Sequence, residues 1–65
     1  MALDQVEVGS TYEMEDGRKL RIVHEWTAEN GHTRTGFEVI EGHQNGFKDC
    51  SKREFQTKAM REVKD

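Results

Sequence analysis

Proline is absent from the 65 residues, and cysteine occurs once, as Cys50. One thiol excludes an internal disulfide, the usual brace of small secreted domains, and points to a reducing, cytoplasmic setting. No apolar run approaches the roughly 20 residues of a membrane span, and residues 1–9 lack the basic-then-apolar order of a signal peptide. A metal site is equally unsupported. His24, His32, His43 and Cys50 are the right ligand types, but no two stand closer than seven residues. Small zinc modules pair their ligands about two to five residues apart. Gly31, Gly36, Gly42 and Gly46 do not fall between a strand and a helix as a phosphate-cradling loop requires.

Shortness excludes more. A domain of this size buries only about 60% of the surface its unfolded chain exposes, which leaves no room for a deep, supported cleft. A Cys–His nucleophilic pair would need such a cleft and an orienting third group. Cys50 falls at a strand-to-helix junction, where a helix start would lower its pKa, but the better reading is a small buried hydrophobe. The expectation is a protein that is not an enzyme and carries no cofactor.

Net charge is -3, unevenly spread. Residues 1–47 hold four basic and nine acidic side chains, whereas residues 48–65 hold six basic and four acidic. Overall acidity opposes general affinity for a phosphate backbone, while a local basic face stays open.

What is present is alternation. Tyr12 and Met14 alternate with Thr11, Glu13 and Glu15; Leu20, Ile22 and Trp26 alternate with Lys19, Arg21 and Glu25. That is the period of strands with one dry and one wet face, and it places His24 on the dry phase as a core-edge residue. Between the two runs, Asp16-Gly17 suits a type I′ hairpin. Asn30-Gly31 marks a second hairpin loop within residues 27–34, and Asn45-Gly46 a turn before a short strand over 47–50. Val6 and Val8 alternate ahead of Gly9-Ser10. Phe37 and Val39 share one face of a further strand, with Glu38 and Ile40 on the other.

After Cys50 the period changes. Ser51 is followed three residues later by Glu54, the spacing of a capping box. Phe55, Ala59, Met60 and Val63 make one apolar stripe at helical spacing, and Lys58, Arg61 and Lys64 suit the negative end of the helix dipole. The whole chain, residues 1–65, therefore reads as one α+β domain. It is a small antiparallel meander of three to five strands within residues 5–50, covered by a helix over 52–63. Tyr12, Trp26, Phe37, Phe47 and Phe55 supply most of the expected core, each burial contributing about 1.5–3 kcal/mol.

Two surfaces are candidates for binding. Glu13, Glu15 and Glu38 put acid on the wet side of neighbouring strands, suited to a basic protein surface. Val23 and Ile40 are apolar on that same wet phase, so they either line a barrel that curls round or form a partner patch. Alternatively, Lys52, Arg53, Lys58 and Arg61 on the helix contact phosphates while Trp26 or His32 stacks on a base.

Gly9 and Tyr12, then Asp16-Gly17 with Leu20 and Ile22, then Cys50, Arg53, Phe55 and Val63 follow one another in a particular order. That order resembles a family of short phage and prophage early-region proteins of unknown function, built as SH3-like barrels. The chain departs from the family in its longer loop over residues 27–34 and in its acidity. The resemblance implies a fold and an origin, not an activity. Together these features lead to an expectation of a small, non-catalytic protein-interaction module, docking on a host protein through Glu13, Glu15, Val23, Glu38 and Ile40. The alternative is a nucleic-acid-binding accessory factor using Trp26 and the basic helix. Either is expected as a monomer or weak homodimer with no membrane contact.

Overall fold

A computed structural model describes residues 3, 5–44, 46 and 48–64. Five strands, β1 (Thr11–Met14), β2 (Lys19–Thr27), β3 (Thr33–Glu41), β4 (Asp49–Ser51) and β5 (Ala59–Val63), form one antiparallel sheet. The strand order is β4-β3-β2-β1-β5, and the ladder does not close into a barrel. A short helix, α1 (Lys52–Lys58), is inserted between β4 and β5.

The β1–β2 and β2–β3 connections are hairpins of one design. In the first, Gly17 N–H donates to Met14 O at 3.0 Å and Met14 N–H to Arg18 O at 2.8 Å. In the second, Gly31 N–H donates to Ala28 O and Ala28 N–H to His32 O, both at 2.9 Å. Each loop thus has three residues, with only its glycine at positive φ, 92° for Gly17 and 85° for Gly31. The expected two-residue type I′ turn is not formed, because Asp16 keeps a negative φ and uses its carboxylate instead. Asp16 Oδ1 accepts from Arg18 N–H, and Asn30 Oδ1 accepts from His32 N–H, each at 3.0 Å. These side-chain-to-backbone bonds stabilise a loop closed by a glycine bulge.

The core lies on one face of the sheet. Tyr12, Met14, Leu20, Ile22 and Phe37 point into it as the alternation requires, joined by Val6, Phe55 and Ala59. Phe55 stands at its centre, edge-on to Tyr12 (centroids 5.6 Å apart) and tilted against Phe37 (5.9 Å). The Tyr12 hydroxyl accepts from Glu7 N–H at 2.9 Å, so its polar end is not stranded. Thr35, fully buried, donates from Oγ1 to Cys50 O at 3.3 Å.

Several boundaries differ from those expected. Residues 5–10 are not in a strand; Val6 is buried, but Val8 is half exposed beside Gly9 at φ 95°. Ser51 caps the helix as its spacing predicts, with Oγ accepting from Glu54 N–H at 3.1 Å. The helix ends at Lys58 rather than at 63, and Ala59–Val63 runs on as β5. The reason is the open edge of β1: its backbone groups pair with β5, which a continued helix would leave unpaired. Met60, read as part of the apolar stripe, is the extra residue where that pairing shifts register, and it is exposed. Phe47 and Asn45, placed in the core and in a turn, lie outside the described residues.

Candidate functional site

The outer face of the sheet is decided by one extra residue. Ile22 pairs with Phe37 and His24 with Gly36, so Val23 has no counterpart on β3. Such a bulge re-aims the side chains that follow it. His24 and Trp26, expected on the dry face, are both exposed on the outer one, and Trp26 leaves the core. Glu25 takes the inward phase instead, where Lys52 of α1 meets it at 3.2 Å.

His24 and Trp26 then lie two residues apart on one face, their rings stacked with centroids 4.8 Å apart and planes 23° from parallel. The His24 ring covers Gly36 on the neighbouring strand. A β-carbon added to Gly36 would stand 2.4 Å from His24 Cε1, so the flat contact depends on a residue without a side chain. Val23 continues this surface and is 43% exposed; Trp26 is 36% exposed.

Cross-strand ion pairs surround these residues. Arg21 pairs with Glu38, and Arg34 pairs with Asp49 at 2.7 Å. Further out are Lys19–Glu41 at 2.9 Å and Arg61–Glu13 at 2.8 Å. Exposed pairs of this kind contribute only about 0–1 kcal/mol to stability, but they cancel charge locally. The Arg61 hydrogen bond, and then its charge, hold the Glu13 carboxyl below the usual carboxylate range.

The expected acidic patch is therefore not of one sign. Glu13 and Glu38 are each matched by an arginine, and Glu15 sits in the first hairpin loop, where its N–H donates to Lys58 O at 2.9 Å. Ile40 is 48% exposed, so it and Val23 do not line the inside of a barrel. They do not form one patch either, because the Arg21–Glu38 pair stands between them along the strands.

The basic alternative is brought together only in part. Lys52 and Arg53 border a groove of about 440 Å³ with Asn30, His32 and Arg34. Arg53 makes no ion pair among the described residues, whereas Lys52 is held by Glu25 and Arg34 by Asp49. Lys58 lies near Glu54 at 3.7 Å, Arg61 belongs to β5 rather than to a helix, and Trp26 does not line the groove. Cys50 is half-buried on β4; burial pushes its thiol up, against the lowering effect of Thr35.

Sequence reading missed the role of His24 and Gly36. Neither carries a local signal, since the contact exists only in the register that the bulge creates. Comparison with protein-family models, with curated proteins and with solved structures gives no match.

Proposed function

We propose that the protein is a non-catalytic interaction module that docks on another protein through the outer face of its sheet. Val23, His24 and Trp26 form the centre of the contact, with Glu13, Glu38 and Ile40 toward its rim and Glu15 beyond it on the hairpin loop. The observation that carries this reading is the bulge at Val23, which turns three apolar or aromatic side chains outward together. An aromatic centre ringed by matched charges is the composition of protein–protein contacts, where tryptophan is enriched among the residues that matter most. The strand order and the helix between β4 and β5 support a finer reading, an SH3-like barrel left open at one seam. With it comes the proposal of a phage or prophage origin and a host partner in the cytoplasm. The edges of β4 and β5 are short, which favours a monomer or weak homodimer.

The test is affinity capture from bacterial lysate with wild-type protein, Trp26→Ala and Val23→Glu, with and without nuclease. One protein retained through nuclease by the wild type and lost by both variants is the expected result. Retention by both variants would remove the outer face from the proposal. A nuclease-sensitive capture that weakens steeply with salt would favour the second reading, nucleic acid in the groove beside Arg53 and Lys52.

A further inference from the structure

An open strand edge is a row of unpaired N–H and C=O groups, and another strand fits it. Part of β2 has such an edge inside the strand order. β1 partners β2 only as far as Arg21, and Gly9 and Ser10 bond to Ile22. Ahead of Ser10 the chain turns off the sheet. Ser10 N–H donates to Glu7 O at 3.3 Å, Glu7 N–H donates to the Tyr12 hydroxyl at 2.9 Å, and Val6 enters the core. Among the described residues nothing pairs with that side of residues 23–27.

Backbone alternation decides which residues face the opening. Ala28 N–H donates to His32 O across the hairpin, so Ala28, Trp26 and His24 turn their backbone groups to β3. Glu25 and Thr27 turn theirs to the open side. The order Val23, His24, Glu25, Trp26, Thr27 has the same character read from either end: β-branched, aromatic, Glu25, aromatic, β-branched. Two antiparallel strands related by a two-fold axis need that symmetry, because each residue meets the one equally far beyond the centre. With Glu25 at the centre, its N–H and C=O bond to those of its copy, and His24 lies opposite Trp26 of the second copy, twice over. Residues opposed at such a position have Cα atoms about 4.5 Å apart, close enough for ring contact. The rings extend the existing His24–Trp26 stack across the seam on the outer face. The centre is also what keeps the pairing weak. Glu25 meets its own copy, and like charges directly opposite destabilise a sheet. Lys52, 3.2 Å from Glu25, offsets part of that.

We propose that β2 pairs edge to edge with β2 of a second copy, antiparallel about Glu25, in a weak dimer whose outer face carries a doubled His24–Trp26 surface. The pairing uses the strand edge and leaves the face open, so it does not depend on the docking role.

The test is sedimentation equilibrium of the full chain from dilute to roughly millimolar concentration, with the Glu25 amide resonance followed over the same range. The wild type is expected to gain mass toward a dimer, the Glu25 amide shifting along the same curve. Glu25→Gln removes the meeting of like charges, and is expected to tighten association several-fold. Glu25→Pro removes the edge-facing N–H, which an edge strand tolerates, and is expected to abolish association with both rings in place. Glu25→Gln keeps the test decisive if the proline variant fails to fold. Wild type and Glu25→Gln that both stay monomeric would overturn the proposal. So would association that Glu25→Gln weakens, or that Glu25→Pro leaves intact, since the contact would then run through another surface.

Discussion

The two halves of β2 differ in their neighbours and in what they bury. Up to Ile22 the strand has β1 or the chain just before it on one side and β3 on the other, and Leu20 and Ile22 are almost fully buried. From Val23 to Thr27 it has β3 alone, and every residue is exposed. The difference comes from where β1 starts, not from composition: Trp26 is as apolar as Leu20. A strand with two neighbours and α1 across its face adds to a core. Past Ile22, β2 is an edge strand on β3, which β4 still borders over residues 34–36, and only the tip over residues 27–33 is a two-stranded ribbon, marginal in water. The His24–Trp26 stack and the Lys52–Glu25 pair add to what holds that edge stretch.

Removing a side chain from each half is the largest test of this contrast. Ile22→Ala is expected to cost about 2–5 kcal/mol in urea unfolding, through the cavity it leaves. Trp26→Ala is expected to cost under about 1.5 kcal/mol, the worth of an aromatic contact. Equal costs would mean that the projecting half is part of the cooperative core after all.

Gly36→Ala comes next, with an expected cost of about 1–3 kcal/mol from forcing His24 off its seat. In a double-mutant cycle, His24→Ala should recover most of that loss. Additive costs would show that the glycine matters for some other reason.

The two glycine loops sharpen the comparison further. Gly17→Ala is expected to cost about 1–2 kcal/mol globally, the penalty for a side chain at positive φ. Gly31→Ala meets the same strain in the projecting ribbon, so its effect should appear first as faster amide exchange near residues 27–33. Identical global losses would contradict a separately fraying tip.

The smallest expected effect is on pH dependence. Burial raises the Asp16 pKa, but the Arg18 N–H and guanidinium outweigh it, and Arg61 lowers that of Glu13. A carboxylate lowered by folding stabilises above its unfolded value, near 4.5 for Glu13, and that contribution fades as pH falls through the folded value. Glu13→Gln should therefore be slightly less stable than wild type at neutral pH and indistinguishable in strong acid. A difference that widens in acid would reverse the assignment.

Local signals carried much of this fold. Ser51 and Glu54 mark the helix start, Gly17 and Gly31 mark the hairpins, and the in-out order of Tyr12, Met14, Leu20, Ile22 and Phe37 marks the buried face. What failed depends on residues far apart in the chain. A bulge adds one residue and reverses every later position, so Trp26 read as core. Phe55, Ala59 and Val63 fit a helix, and only the open edge of β1 decides that the last two belong to a strand. Val23 and Ile40 stood out as apolar residues on a wet phase, but the pattern left a barrel interior and an exposed patch both open, and the structure exposes them. The neutralisation of Glu13 was not legible, since its partner Arg61 is 48 residues away.

The second hairpin loop has a consequence for chemical durability. An asparagine followed by glycine ages by attack of the glycine nitrogen on the asparagine side-chain amide, with loss of ammonia. Here the Gly31 N–H is tied to Ala28 O at 2.9 Å and the Asn30 amide oxygen is tied to His32 N–H at 3.0 Å. Reaction requires the loop to let go of both, so deamidation of Asn30 runs at the pace of the ribbon's own opening. Conversion followed at Asn30 itself, apart from Asn45, which also precedes a glycine, becomes a clock for how often this hairpin comes apart.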